Sequence, residues 1–249
     1  MHPGVYDYEV IHKLINKSSV LHVSFPPSHE PDADPFPAIL PMIGTMGNFE
    51  TPPPSLNEPM DCYLHGYVTS RMMRLAKTQV DPNTAGLPVS ICATIVDGLV
   101  LALTPHHHSY NYRSAILHGY ATPVTDVEEK LWAMQLITNG VVPQRWENSR
   151  VPPTNAEMTS TQILKVRVET ASAKVRRGGP SDDRADVRNE QMRARVWAGV
   201  VPVWEMLGEP VPWEKEEKGV PEYVREFVEG ENRGRAQLAR DAAREEGGK

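Results

Sequence analysis

Four short stretches of the chain carry residue types that could do chemistry. The first is "HGYVTSRMMR", in which Ser70 and Arg71 open an apolar-periodic run. A helix start exposes unpaired N–H groups and a positive dipole end, so a hydroxyl and a guanidinium placed there suit a phosphate. The plainer alternative is a serine cap beside a solvated arginine. The second stretch is "PHHHSYNYRS", with His106, His107 and His108 shortly before Arg113 and Ser114. Three adjacent histidines rarely converge on one ion, and the sequence offers no HExxH and no nearby carboxylate partner, so no metal is expected here. Solvated loop residues are the alternative.

The third is "ETASAKVRRGGP", where Lys174, Arg176 and Arg177 could face an anionic ligand or guard an exposed strand edge. In the fourth, "VWAGVV", Trp197 stands next to small residues and could lie against a flat ring or fill the core.

The elements that must position these residues read mainly as strands. "SVLHVSF" alternates, as does the long "TQILKVRVETASAKVR"; "AILPMIGTM" and "MDCYLHG" are further strand candidates, and "YRSAILHGYATPVT" is long enough to traverse a barrel wall. "PVSICATIVDGLVLAL" reads as two strands joined by a tight turn at Asp97-Gly98, and "VWAGVVPVWE" as a last strand. Helices are expected over 6–17, from Ser70 or Thr69, over 126–139 behind a Thr125/Glu128 capping box and closed by Gly140, and after Thr154/Glu157. Two proline-rich loops, 26–37 and 48–59, separate early strands.

Past about Gly208 the composition becomes charged, yet Val220, Tyr223, Val224, Phe227 and Val228 keep helical spacing. The expected division is therefore a β-barrel domain, 1–207, and a charged extension, 208–249, with a peripheral helix at about 220–230 and a flexible end. The fold class is mainly β (α+β): six or seven strands in a barrel with peripheral helices.

A net charge of −6 argues against a general nucleic-acid binder. No apolar run approaches a membrane span, and no secretion signal is evident, so a cytoplasmic protein is expected. Cys62 and Cys92 lack CxxC spacing and read as reduced core thiols.

Taken in order, "LHGYVTSRMMR", "ICATIVDGLVLA", "HHSYNYRSAILHGYATPVTD", "VVPQRW", "SAKVRRGGPSDD" and "VWAGVVPV" resemble the flavin-nucleotide-binding proteins of the pyridoxamine 5′-phosphate oxidase-like split-barrel superfamily. The resemblance covers about residues 7–204. It implies a homodimer with FMN in two interface clefts. It places the FMN phosphate at Ser70 and Arg71, the isoalloxazine along Ala38, Ile39, Leu40 and Pro41, and polar contacts at Tyr112, Arg113 and Ser114. It also places Trp197 near the flavin from the partner, and Lys174 or Arg176 near the phosphate. Of the histidine run, His107 and His108 fit the pattern and His106 is the surplus member.

The Arg-x-His element of true pyridoxamine phosphate oxidases has no counterpart, so vitamin B6 oxidation is not expected. The implied activity is an FMN-dependent oxidoreduction of a small organic substrate, with NAD(P)H as donor or oxygen as acceptor. His107, His108 and Tyr112 are the best-placed candidates for catalysis. The alternatives are a flavin carrier without catalysis, and a haem-binding relative with a histidine as axial ligand.

Overall fold

The computed structural model describes residues 4–27, 35–51, 55–78, 86–213 and 219–245. Parts of both proline-rich loops and the last four residues, where a flexible end is expected, lie outside that set. Helix α1 (Tyr8–Lys17) starts at Asp7, whose carboxylate accepts from the Val10 N–H, and buries Ile11, His12, Leu14 and Ile15. Strands β1 (Leu21–Phe25), β2 (Ala38–Met42), β3 (Gly44–Gly47) and β4 (Asp61–Tyr67) follow. Helix α2 (Arg71–Thr78) buries Met72, Met73 and Ala76. The long strands β5 (Leu87–Leu101) and β6 (Ser109–Pro123) flank a single 3-10 turn at Pro105–His107.

Next come α3 (Val127–Val141), α4 (Asn155–Ser160), β7 (Thr161–Arg176), the short α5 (Arg184–Arg188) and α6 (Glu190–Arg195), β8 (Gly199–Pro202) and α7 (Glu222–Arg244). The eight strands form one sheet in the order β2-β1-β5-β6-β7-β4-β3, with β8 against β5. Its two terminal strands, β2 and β3, are halves of one run broken only at Ile43, so the path begins and ends in the same segment, as a split barrel requires. Val23 faces both Leu40 and Ile91 across its ladders, and Leu64 faces Leu164.

Two compact units divide the chain: Gly4–Thr94 with Ser114–Ala173, and Ile95–Arg113 with Lys174–Lys249. The first holds the apolar core. Leu21, Val23, Phe25, Ile91 and Leu117 are buried in it as the alternation of their strands dictates, and β4 and β7 are buried on both faces at Tyr63, Leu64 and Ile163. Trp132 packs edge-on against Tyr63 there, 5.2 Å between ring centres.

Several expectations are corrected. Asp97-Gly98 is not a turn: β5 runs straight through it, with Gly98 opposite Pro202 of β8. Asp97 is pulled into the ladder by Arg113, and a Cβ at Gly98 would sit 2.9 Å from Val200 Cγ1, so the glycine serves close strand approach rather than a turn. Helix α3 starts from Asp126, not Thr125; the Asp126 carboxylate accepts from the Glu129 N–H, and the helix continues through Gly140. Helix α7 reaches Arg244, well past 230, because Ala239 and Ala242 extend its buried stripe. The Thr154/Glu157 box forms in both directions. Cys62 is buried, its thiol pushed up to about 12 by burial, whereas Cys92 is only half-buried; both are free.

Candidate functional site

The residues expected to meet a flavin are distributed over both units, and each set has its own chemistry. In the unit of Gly4–Thr94 and Ser114–Ala173, β4 ends at Tyr67 and the chain turns through Ser70, whose N–H donates to the Tyr67 carbonyl at 2.9 Å. The Ser70 carbonyl accepts the first bond of α2 from the Arg74 N–H at 3.0 Å, which makes Ser70 the capping residue. Arg71 is exposed and has no hydrogen-bond or ion-pair partner among the described residues. No acidic residue lies in the first turn of α2, so the positive end of the helix and the guanidinium act together on any anion placed there.

Strand β2 ends the sheet path and, among the described residues, pairs only with β1, so its outer backbone edge has no ladder partner there. Ile39 is 64% exposed and Pro41 is exposed, while Ala38 and Leu40 are half-buried: an apolar edge with backbone donors, suited to a flat heterocycle. Ser114 lies half-buried on β6.

The unit of Ile95–Arg113 and Lys174–Lys249 treats its site residues differently. The Arg113 Nε and Nη2 atoms each donate to a carboxylate oxygen of Asp97 at 2.7 Å, a bidentate pair with the Asp97 side chain 4% exposed. Arg176 donates to Asn111 Oδ1 at 2.6 Å, and burial holds its guanidinium below the ordinary value. Asn111 is fully buried and its amide donates to the carbonyls of Gly178 and Ala242. Asn111 is thereby a clamp between Arg176 at the end of β7, the loop beyond it and α7. Tyr112 is half-buried.

Lys174 is exposed. Trp197 is 64% exposed and its ring lies over Gly199, where a Cβ would come within 2.7 Å of the indole. His108 Nδ1 accepts from the Ala102 N–H at 2.9 Å, which fixes the neutral ring with its proton on Nε2. His107 binds the Ser181 carbonyl. His106 is exposed and meets the His107 ring edge-on at 4.2 Å.

Three clefts in the unit of Gly4–Thr94 and Ser114–Ala173 are lined by none of the expected flavin residues. One of them, about 440 Å³, has an apolar wall of Phe25, Pro26, Pro27, Pro37, Pro88 and Val89, with His118 as its single histidine. The His118 Nδ1 is 2.9 Å from Ser90 Oγ, which leaves Nε2 without a partner among the described residues. Sequence reasoning missed this cleft: an exposed histidine on a strand carries no periodic signal, and the prolines that wall it lie in three separate segments. The same unit holds a half-buried polar cluster. Tyr63 donates to Glu129 at 2.7 Å, and Lys165 lies 3.1 Å from Glu129 and 3.4 Å from Asp61. Burial raises the Asp61 carboxyl, with Lys165 drawing it back.

A sequence model of the family described as pyridoxamine 5′-phosphate oxidase matches residues 7–175. The chain belongs to that family. No curated protein matches it. Among solved structures it is similar to the flavocytochrome Anf3 from Azotobacter vinelandii, at 25% identity and a TM-score of 0.68, over 90% of this chain and 91% of that one. It also shares the fold of the FAD and haem binding protein from Mycobacterium smegmatis, at 24% identity and a TM-score of 0.70, over 90% of this chain and 97% of that one. The family pattern stops at residue 175, but 90% coverage leaves only about 25 residues of the chain unmatched. Most of the chain beyond 175 is therefore shared with these two structures. No helix among the described residues is long and apolar enough to cross a membrane.

Proposed function

We propose that the chain is a flavin-nucleotide-binding redox protein whose flavin phosphate is held at the start of α2 by Ser70 and Arg71. The observation that carries this reading is an arginine with no partner among the described residues, at a helix start with no acidic first turn, in a chain of this family. The outer edge of β2, Ala38 to Pro41, supplies the apolar surface and backbone groups for the ring. The flavin supplies the electron chemistry when bound; the protein orients it and shields one face. Because none of these residues lines the three clefts, a second copy of the chain is the natural source of the remaining wall, as in a homodimer.

Arg113 and Arg176 are better read as supports than as phosphate ligands, since Asp97 and Asn111 engage them. FMN and FAD share the ribityl phosphate that Ser70 and Arg71 would meet. The flavocytochrome, whose similarity extends beyond the family pattern, favours a second cofactor, haem. A haem would be held in the cleft beside His118, whose Nε2 would ligate the iron with Ser90 orienting the ring, between the apolar wall and Glu169, which also lines it; it would supply one-electron chemistry there. A bound flavin would supply electron transfer between a reduced donor such as NAD(P)H and an acceptor, while Ser70, Arg71 and the β2 edge would hold and orient it.

Mass spectrometry of the small molecules released from the purified full-length chain tests the flavin reading. A flavin mononucleotide or dinucleotide is expected, and the mass separates the two. No flavin on the protein, and none taken up on incubation with either, would refute it. For haem, a Soret band that His118→Ala abolishes while bound flavin stays is the expected result. Saturating NADPH with a quinone acceptor separates enzyme from carrier: acceptor-dependent oxidation is expected, and its absence leaves flavin binding alone.

A further inference from the structure

The tip of the β5–β6 hairpin and the loop after β7, both within the unit of Ile95–Arg113 and Lys174–Lys249, bring together residues that the flavin reading does not use. His106 and His107 stand on the 3-10 turn at Pro105–His107. Asp183 stands at the start of α5, in a capping position, yet its carboxylate makes no capping hydrogen bond. One ligand atom from each of these three side chains lies within 4.8 Å of the other two. No hydrogen bond or ion pair joins Asp183 to either ring.

The surroundings hold these groups for coordination. His107 Nδ1 meets a carbonyl oxygen, that of Ser181, which can only accept. Nδ1 therefore carries the proton, and the Nε2 lone pair of the neutral ring is available; a backbone carbonyl behind the far ring nitrogen is the usual support of a metal-bound histidine. The two loops are fastened on either side of the cluster. Leu103 donates its N–H to Asp182 Oδ1 at 2.9 Å, and Asn111 reaches Gly178 at 3.1 Å.

We infer that His106, His107 and Asp183 form a binding site for a divalent first-row transition ion, with zinc(II) the best match. Two imidazoles and one carboxylate are a borderline donor set. They suit zinc better than the oxygen-seeking magnesium or calcium, or an ion that prefers thiolates. Tetrahedral bonds of about 2.1 Å place donors about 3.4 Å apart, so atoms that lie within 4.8 Å of one another close by at most about 1.4 Å. Two exposed side chains and one half-buried ring can make that adjustment by small rotations. Solvent completes the fourth position. The ion acts as a clip that joins the hairpin tip to the loop after β7. The site is independent of the flavin reading.

The test uses the full-length protein with whatever cofactor it carries, stripped of metal by a chelator and titrated with zinc(II) by calorimetry. One equivalent is expected to bind and to raise the Tm. Affinity falls about ten-fold or more in His106→Gln and, separately, in Asp183→Asn, and the Tm rise is lost. Cobalt(II) gives a second readout: tetrahedral d–d bands in the wild type, absent in both variants. Both variants change exposed groups, so circular dichroism should match the wild type. Zinc binding of wild-type strength in Asp183→Asn would show that the histidine pair alone chelates, and would overturn the proposal. So would unchanged binding in His106→Gln, or no stoichiometric binding to the wild type.

Discussion

The two compact units reach their order by different means. In the unit of Gly4–Thr94 and Ser114–Ala173, strand faces close over a broad apolar interior that includes Leu21, Phe25, Leu64, Met73, Leu117 and Leu164. In the unit of Ile95–Arg113 and Lys174–Lys249, the buried apolar residues among those described are only Val100, Ala102, Ala239 and Ala242. Asp97 and Asn111 are enclosed beside them. The first is stabilised mainly by burial, which is non-directional and scales with area. The second depends on a few directed bonds: Asp97 to Arg113, Asn111 to Arg176 and Ala242, and Asn232 to both the N–H and the carbonyl of Leu207. A polar unit of this kind is specific in register but sensitive to the loss of one partner, because the group left behind loses a directed bond in a buried or half-buried position.

The sharpest way to break the contrast is Asp97→Ala. It leaves the Arg113 guanidinium without its partner, and about 3 kcal/mol of stability or more should be lost in chemical denaturation. Hydrogen exchange should rise first over 95–113 and beyond 174, with β1 and β4 still protected. Uniform loss of protection would show that the two units do not differ in this way. Replacing the pair together, Asp97→Ala with Arg113→Met, should recover much of the stability.

Asn111→Ala comes next, at about 2 kcal/mol, since it strips partners from Arg176 and two carbonyls. A smaller effect, about 1 kcal/mol, is expected in the apolar unit for Thr154→Ala, which removes the reciprocal cap on α4. The smallest is a pH effect at His12. Burial lowers its folded value below the ordinary 6.5, with the Leu56 carbonyl drawing it back up. The folded state therefore resists a proton that the unfolded chain accepts. Stability is full above 6.5 and falls as the pH drops from there toward the folded value. Thermal melts between about pH 7.5 and 5.5 should show that slope in the wild type and a shallower one in His12→Asn.

The same contrast explains what the sequence discloses. β7 is readable as one strand from Thr161 to Arg176, and Leu21, Val23 and Phe25 as one buried face, because alternation is a local signal. The Thr154/Glu157 box is local too. Asp97-Gly98 misleads because the same dipeptide suits a tight turn in isolation; only a partner sixteen residues away, Arg113, shows that the aspartate belongs in the ladder. Asn111 meets partners at 178 and 242, and His106 and His107 lie near Asp183, over separations that leave no period to read. Ser70 and Arg71 are legible as a helix start from spacing, and their link to a flavin phosphate comes from the family pattern. The commitment of Arg113 and Arg176 to protein partners emerges only from the fold.

The account rests most heavily on Arg71. Flavin fluorescence quenching on titration of the cofactor-stripped full-length protein compares the wild type with Arg71→Ala directly. A charge-assisted contact to phosphate is worth about 1.5–3 kcal/mol, so affinity should fall by about ten-fold to a hundred-fold. Riboflavin, which lacks the phosphate, should bind both proteins equally. Equal affinity of wild type and Arg71→Ala for the flavin nucleotide would contradict the phosphate site and, with it, the flavin placement argued from the start of α2.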